Sequence, residues 1–414
     1  MVGPFLPDDE KIPALREALP STAAGIYLNT GTCGPLPRET AHAMAEAEAW
    51  ELRTGRADRH YWEDAAERKA EARAAVAAVL GTGPNRIALT HATTDGMNIA
   101  AGAVDWREGD RVVTTSLEHP GLLGPLRALR ERRGVELAIA GIGTGGDPAA
   151  VLAALDRAIV PGTRLVALSH VAWATGARLP IAEIVELAHS RNALVAVDGA
   201  QSAGALAVAV EDLGPDFYAV PAQKWLLGPD GIGAVYCAES VMDRPRLSFA
   251  GWASYESMDL AAEGNLWPDA RRFEIAGYHQ PSVLGFARSA AWLSMYVGLP
   301  WIYERIARLA GEAAAMLAEV PGVEVLTPTG GLSGLVTFQI AGWKASDALR
   351  ELEQRTLCIA RTIPPLDAIR ISLGFFNTDG ELRRFRDGVA LVAENTPETI
   401  PHRPRIEVLR GGVD

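Results

Sequence analysis

The chain has few cysteines, few aromatic residues and no surplus of positive charge. Only Cys33, Cys237 and Cys358 occur in 414 residues. So small and odd a number excludes a disulfide framework. No Cys-x-x-Cys pair or cysteine–histidine cluster is present, so no metal is expected. No apolar run reaches the length of about eighteen residues that a membrane-spanning helix needs. The opening MVGPFLPDDEKIP lacks the basic start and apolar stretch of a secretory signal, and a cytoplasmic location is expected. Lysine and arginine total 39 against 51 acidic residues, a net charge of −12. That balance repels nucleic acid and anionic membranes. Arg130, Arg132 and Arg133 cluster, but among Leu126, Leu129 and Glu131, as on the solvated face of a helix. Neither nucleic acid nor membrane is expected as a partner.

What is present is apolar residue in quantity, 48%, enough for a large core and more than one domain. Helical spacing runs through residues 38–80 and predicts two helices there. From residue 86, short β-rich runs alternate with alanine-rich stretches: 86–90, 110–116, 164–171, 193–198, 217–220 and 231–237. Such alternation predicts an α/β fold, with a mostly parallel sheet covered by helices on both faces. Residues 251–274 read as loop and about 281–319 as helix. Strand and helix signals from about residue 295 predict a smaller α+β domain, and the tail from Ile400 reads as extended and peripheral. The lone GxGxxG match, GIGTGG at 141–146, leads into Asp147-Pro148 and reads as a turn before a helix.

In open α/β sheets, ligands bind beyond the carboxyl ends of strands. ALVAVD ends in Asp198, which reads either as a helix N-cap or as a buried carboxylate needing a cationic partner. Lys224 follows the β-rich FYAV, and reads either as a surface charge or as an amine made nucleophilic by apolar surroundings. Thr93 and Thr94 follow another strand and open a helix, as a plain N-cap or as an anion cradle. His119 follows a fourth strand, as a core residue or as a group that stacks on a flat ligand. Carboxylate, lysine, anion cradle and stacking histidine together are what a pyridine aldehyde phosphate requires.

These residues resemble a known family. YLNTGTCGPLP (27–37), ATTDGMN, SLEHPG, VDGAQSAG, DFYAVPAQKWLLGPDGIG, RRFEIAG and RISLGFFNT (370–378) are similar to class V aminotransferase-like, fold-type I pyridoxal-phosphate (PLP) enzymes. That family includes cysteine desulfurases, C–S lyases acting on cystine or cysteine conjugates, isopenicillin N epimerase and kynureninase. The resemblance implies a seven-stranded large PLP domain over 27–294, a small domain over 295–414 and an N-terminal segment, 1–26, joining the small domain. It implies PLP bound covalently at Lys224, with Asp198 on the ring nitrogen and Gln201 on the phenolic oxygen. His119 and Ala200 would cover the two ring faces, and Thr93 and Thr94 the phosphate. His170 and Gln223 would lie near the cofactor. Arg370 would bind the substrate carboxylate, Arg361 would help to bind the substrate, and the loop of Asn29, Gly31 and Thr32 would close over it. A homodimer is implied, in which Gly277 and Tyr278 reach the neighbouring phosphate.

Departures from the desulfurase pattern narrow the function. Pro221, Ala222 and Gln223 replace the Ser/Thr-x-His before the lysine, and Trp173 stands where desulfurases tend to have asparagine. No cysteine lies between Arg361 and Arg370, where desulfurases carry their sulfur acceptor, and Cys358 reads as a core residue. The expected activity is therefore a C–S β-lyase, releasing pyruvate from cystine or a cysteine S-conjugate. The alternative is an epimerase or aminotransferase-like enzyme, or a decarboxylating or deaminating one, in natural-product biosynthesis. Epimerisation needs a second proton donor, for which Tyr61, Tyr278 and His279 are candidates. A PLP-binding regulator is disfavoured, because 26 leading residues are too short for a DNA-binding module. Trp62, Trp173, Trp252 and Trp267 are candidate walls of a large substrate pocket.

Overall fold

The computed structural model describes residues 6–242, 247, 249–330 and 332–401. The extended tail expected beyond Pro401 lies outside them. The chain enters through α1 (Asp8–Ala18) and β1 (Ile26–Tyr27), and α2 (Arg38–Thr54) and α3 (Arg59–Leu80) follow. Seven short apolar runs then form the main sheet: β2 (Ile87–Thr90), β3 (Arg111–Thr115), β4 (Glu136–Ala140), β5 (Thr163–Ser169), β6 (Leu194–Asp198), β7 (Phe217–Pro221) and β8 (Gly233–Cys237). Their spatial order is β2-β8-β7-β6-β5-β3-β4. β8 runs antiparallel to both neighbours, and the other pairs are parallel.

β6 and β7 are buried at every position, as a sheet covered on both faces demands. Each large apolar side chain so covered contributes about 1.5–3 kcal/mol. The connecting helices are α4 (Thr93–Gly102), α5 (Pro120–Arg133), α6 (Pro148–Ala158), α7 (Ile181–His189) and α8 (Val210–Leu213). The GIGTGG run is a turn, and the Asp147 side chain caps α6 by accepting from the N–H groups of Ala149 and Ala150. Chain order reverses between β3 and β5. β3 is followed outward by β4, whereas β5 leads back across the sheet to β6. That reversal opens the crevice in which such folds bind ligands.

Besides α1, one strand and one hairpin were not foreseen in the sequence. β4 is an extra strand at the sheet edge, and the stretch read as loop holds a hairpin of β9 (Tyr255–Met258) and β10 (Gly264–Leu266). Then come α9 (Gln280–Ala291), packed on α2 and α3, and α10 (Leu299–Ala318). A second sheet is built from β11 (Val323–Val325), β12 (Leu335–Ile340), β14 (Arg361–Ile363) and β15 (Ala368–Ser372), in the order β11-β12-β15-β14. α11 (Ala345–Thr356) and α12 (Asp379–Ala393) cover it around Phe338, Leu352, Phe385 and Val389. The short β13 (Cys358–Ile359) pairs in parallel with β1, which ties the N-terminal segment to this second core.

Candidate active site

Asp198 closes β6 and is 6% exposed. Burial raises its pKa, and this is opposed by the Lys224 charge and by the Ala200 N–H, which donates to Oδ1 at 2.9 Å. Gly199 lets the following loop lie flat on Tyr218, because a Cβ there would stand 2.2 Å from the tyrosine ring. Lys224 follows β7 and remains partly open to the crevice. The surrounding protein still lowers its pKa to about 8, chiefly by desolvation. Asp198 opposes that shift, and Arg370 and Arg361 add to it. Gly34 fits beneath the lysine, where a Cβ would meet its carbonyl oxygen at 2.3 Å. The Gly34 N–H donates to Gln223 O at 2.7 Å.

His119 caps α5, and its Nδ1 accepts from the Gly121 N–H at 3.0 Å. That bond places the ring proton on Nε2. Burial, with Lys224, Arg361 and Arg370 nearby, lowers the imidazole pKa to about 4, so the ring is neutral. Thr93 and Thr94 open α4. Ala92 at the cap has no side-chain oxygen, and Asp95 spends its carboxylate on His91. The N–H groups of Asp95 and Gly96 turn back to Ala92 O, and those of Thr93 and Thr94 keep their capacity for an anion. Gln201 is buried. It donates to Gly31 O at 2.8 Å and accepts from Trp225 Nε1 at 2.9 Å, which leaves one N–H unspent. His170 is buried and bonded through Nδ1 to Tyr218 Oη at 2.8 Å. Tyr278 donates to Leu89 O at 2.6 Å and packs on His91.

Arg361 and Arg370 stand directly opposite one another on β14 and β15. Both reach Thr32 Oγ1, at 3.2 and 3.4 Å, and Arg370 also donates to Trp173 O at 2.8 Å. Arg370 is 1% exposed, with Nε unpaired. Burial and Arg361 lower its pKa to about 9, which still leaves it charged at neutral pH. Asn29 Oδ1 and Ser372 Oγ are also buried without partners. Two facing cations, one with an unpaired Nε, could together receive a carboxylate. The Trp173 ring contacts His119 edge-on at 5.1 Å and lies under Arg361.

The sequence pattern of the aminotransferase class-V family matches residues 26–385. The chain belongs to that family. A probable cysteine desulfurase of Methanothermobacter thermautotrophicus is 28% identical, over 89% of this chain and 95% of its own. Isopenicillin N epimerase of Streptomyces clavuligerus is 30% identical, with the same coverage of each chain. The structure of a C-DES mutant with glycine covalently linked to the PLP cofactor superposes with a TM-score of 0.85 at 27% identity, covering 91% of this chain and 98% of that one. The cystine C–S lyase C-DES in complex with its product cysteine persulfide gives 0.84 at 27% identity, covering 90% and 99%.

The class V chain is thus a PLP enzyme, and its own residues fit that cofactor. A protonated ring nitrogen needs a buried anion, an aldehyde needs an amine that gives up its proton more readily than a free lysine, and a phosphate needs free N–H groups. Asp198, Lys224 and the start of α4 offer these in turn. Of the four tryptophans read as pocket walls, Trp173 alone packs on the histidine and arginine just described. Trp62 and Trp252 are exposed, and Trp267 stacks under Arg271. Tyr61 is stacked on Trp50, and His279 bonds Ser282.

Three features escaped the sequence reading: the buried carboxyl of Glu118, the Tyr218–Ser202 bond under Gly199, and Cys33, whose thiol is electrostatically coupled to Lys224. Burial and Asp230 raise the pKa of Cys33, which keeps it protonated. A cavity of about 710 Å³ lies elsewhere, lined by His91, Trp106, Arg132, Phe249 and Tyr278, and does not include Lys224 or Asp198.

Proposed function

We propose that this class V enzyme is a C–S β-lyase, converting cystine or a cysteine S-conjugate to pyruvate, ammonia and a persulfide or thiol. One observation carries the reading. The segment from Arg361 to Arg370 is a tight hairpin closed by Pro364–Leu366, in register throughout and without a thiol. Cys358 beside it is 4% exposed, and burial raises its pKa to about 11. Sulfur therefore leaves with its own substrate fragment instead of passing to an enzyme thiolate.

When bound, PLP supplies the electron sink. Arg370, with Arg361 and Thr32, holds the substrate carboxylate, and Asn29 and Gly31 shape the covering loop. The Lys224 amine takes the Cα proton, and the C–S electrons depart with sulfur. Asp198 keeps the ring nitrogen protonated, and His119 and Ala200 flank the ring. Gln201 bonds the phenolic oxygen, Thr93 and Thr94 the phosphate, and Gln223 and His170 line the near wall. Two copies associate, bringing Gly277 and Tyr278 towards the partner's site. The exposed Phe249, Trp252, Met258 and Leu260 support such an association.

The test is pyruvate release from PLP-loaded protein offered cystine and bulky cysteine S-conjugates. Pyruvate and thiol in equal amounts are expected. A second reading, epimerisation, is supported by the 30% identical epimerase. Solvent deuterium found at Cα of the opposite enantiomer, without pyruvate, would support it and overturn the lyase reading.

A further inference from the structure

Glu118 is a buried carboxyl that the proposed reaction leaves without a task. It directly precedes His119 on the loop after β3 and is 5% exposed. The sheet explains why it is there. β3 and β5 pair from Arg111 to Val113 and from Thr163 to Val166. β5 continues its pairing with β6 to Ser169, opposite Asp198. The ends of β3 and β5 therefore part beyond Val113 and Val166, at the crevice where chain order reverses. The Ser169 N–H has no β3 carbonyl to meet there.

Glu118 fills that fork. Its Oε2 accepts from Ser169 N at 2.9 Å and from Ser169 Oγ at 2.5 Å, and its Oε1 accepts from Thr115 Oγ1 at 2.5 Å. One side chain thus replaces the missing ladder and ties the two strand ends together. Its chain neighbour is His119, and Ser169 stands in register with Asp198. The histidine ring is otherwise held by the Gly121 N–H and an edge contact with Trp173.

We propose that Glu118 is a positioning residue that sets the separation between the His119 ring and the Asp198 carboxylate, the two groups that would hold a PLP ring. The inference rests on the reading of His119 as the residue that covers the ring. The brace works by shape and hydrogen bonding. Burial raises the Glu118 pKa to about 7, so a neutral isostere suits the same place. Glutamine satisfies every partner, because the Thr115 hydroxyl turns to accept from the new amide. Alanine leaves the Ser169 N–H buried and unpaired.

The experiment compares holoenzymes carrying Glu118→Ala, Glu118→Gln, Ser169→Ala and His119→Ala. It reads the visible circular dichroism per bound cofactor, PLP affinity by titration of the apo protein, kcat and KM separately, and apo-protein melting. Glu118→Ala is expected to weaken PLP binding about tenfold, because the unbraced His119 and Asp198 must then be brought to their bound separation by the cofactor itself. It should also at least halve the dichroism and lower kcat more than KM. Glu118→Gln should recover all three. Ser169→Ala keeps the N–H bond and should fall between, which preserves the test if the alanine variant at 118 does not fold. Native dichroism and affinity in Glu118→Ala, with only a lower melting temperature, would make Glu118 an ordinary core residue and overturn the proposal. Glutamine as damaging as alanine would also overturn it, by showing that charge matters and the brace does not. Native dichroism in His119→Ala would remove the ring-covering role of His119 itself, a failure visible apart from any effect at 118.

Discussion

Lys224 combines partial access with surroundings that disfavour its charge, and its behaviour follows from that conflict. Its ordinary pKa is 10.5 and its value in the fold is about 8. The native chain therefore binds fewer protons here than the unfolded chain between those values. The lysine's contribution to apo-protein stability rises with pH through that window and is lost below about 8. PLP capture needs the neutral amine, so its rate should climb through pH about 8, measured by stopped-flow absorbance after mixing apo protein with PLP. Lys224→Ala should abolish the visible band of the covalently held cofactor. Arg370→Ala should lower kcat/KM by about 10- to 100-fold, the worth of charge-assisted bonds of about 1.5–3 kcal/mol. Cys358→Ser should leave turnover intact and cost about 1–3 kcal/mol of stability in urea unfolding, because a hydroxyl enters an apolar core. Lys224 and Asp198 were legible in the sequence because Asp198 closes one apolar strand and Lys224 follows another, each near glycines that permit close backbone approach. Glu118 was not, because a lone acid between Leu117 and His119 reads as loop until the splayed strand ends are seen.

At the scale of elements, the parallel sheet was legible from the strand–helix alternation because its inner strands β6 and β7 are buried at every position and mostly apolar. β4 escaped because it lies at the edge, with Glu136 and Ile139 facing solvent and no buried run to mark it. The β9–β10 hairpin escaped for the same reason, since most of its residues are exposed. α1 was hidden by Pro13 within it and by its polar content. The hairpin from Arg361 to Arg370 was legible as an absence of cysteine, but not as a clamp that sets two arginines side by side. The loop at Gly34 offers an element-scale test. Gly34→Ala places a methyl 2.3 Å from the Lys224 carbonyl, and either the loop or the lysine must move. Overpacking of this kind costs about 1–3 kcal/mol. Lower apo-protein melting and a raised KM are the expected results, read by scanning calorimetry and steady-state kinetics.

The whole molecule is fastened at its N-terminus. Lys11 Nζ donates to Val297 O at 2.7 Å, Arg16 donates to Phe376 O at 3.0 Å and pairs with Glu381, and Arg305 holds Phe375 O and Asn377 O. The Arg16 bond, with those of Arg305 on α10, which itself pairs with Asp8, pins the loop that follows Arg370 on β15. Removing residues 1–19 should therefore raise KM as well as lower the melting temperature of the holoenzyme. Among the described residues no helix is long and apolar enough to cross a membrane. The opposed pair of Arg361 and Arg370 reaches furthest at this scale. Among the described residues neither pairs with a carboxylate, and the Arg361 charge bears on Arg370, a repulsion that a small organic anion can relieve. Anion binding and folding are then thermodynamically linked, and at a hundred times its dissociation constant such an anion should add about 2.7 kcal/mol to unfolding. Even unreactive carboxylates such as succinate should act as conformational ballast, steadying the protein in the intervals between turnovers.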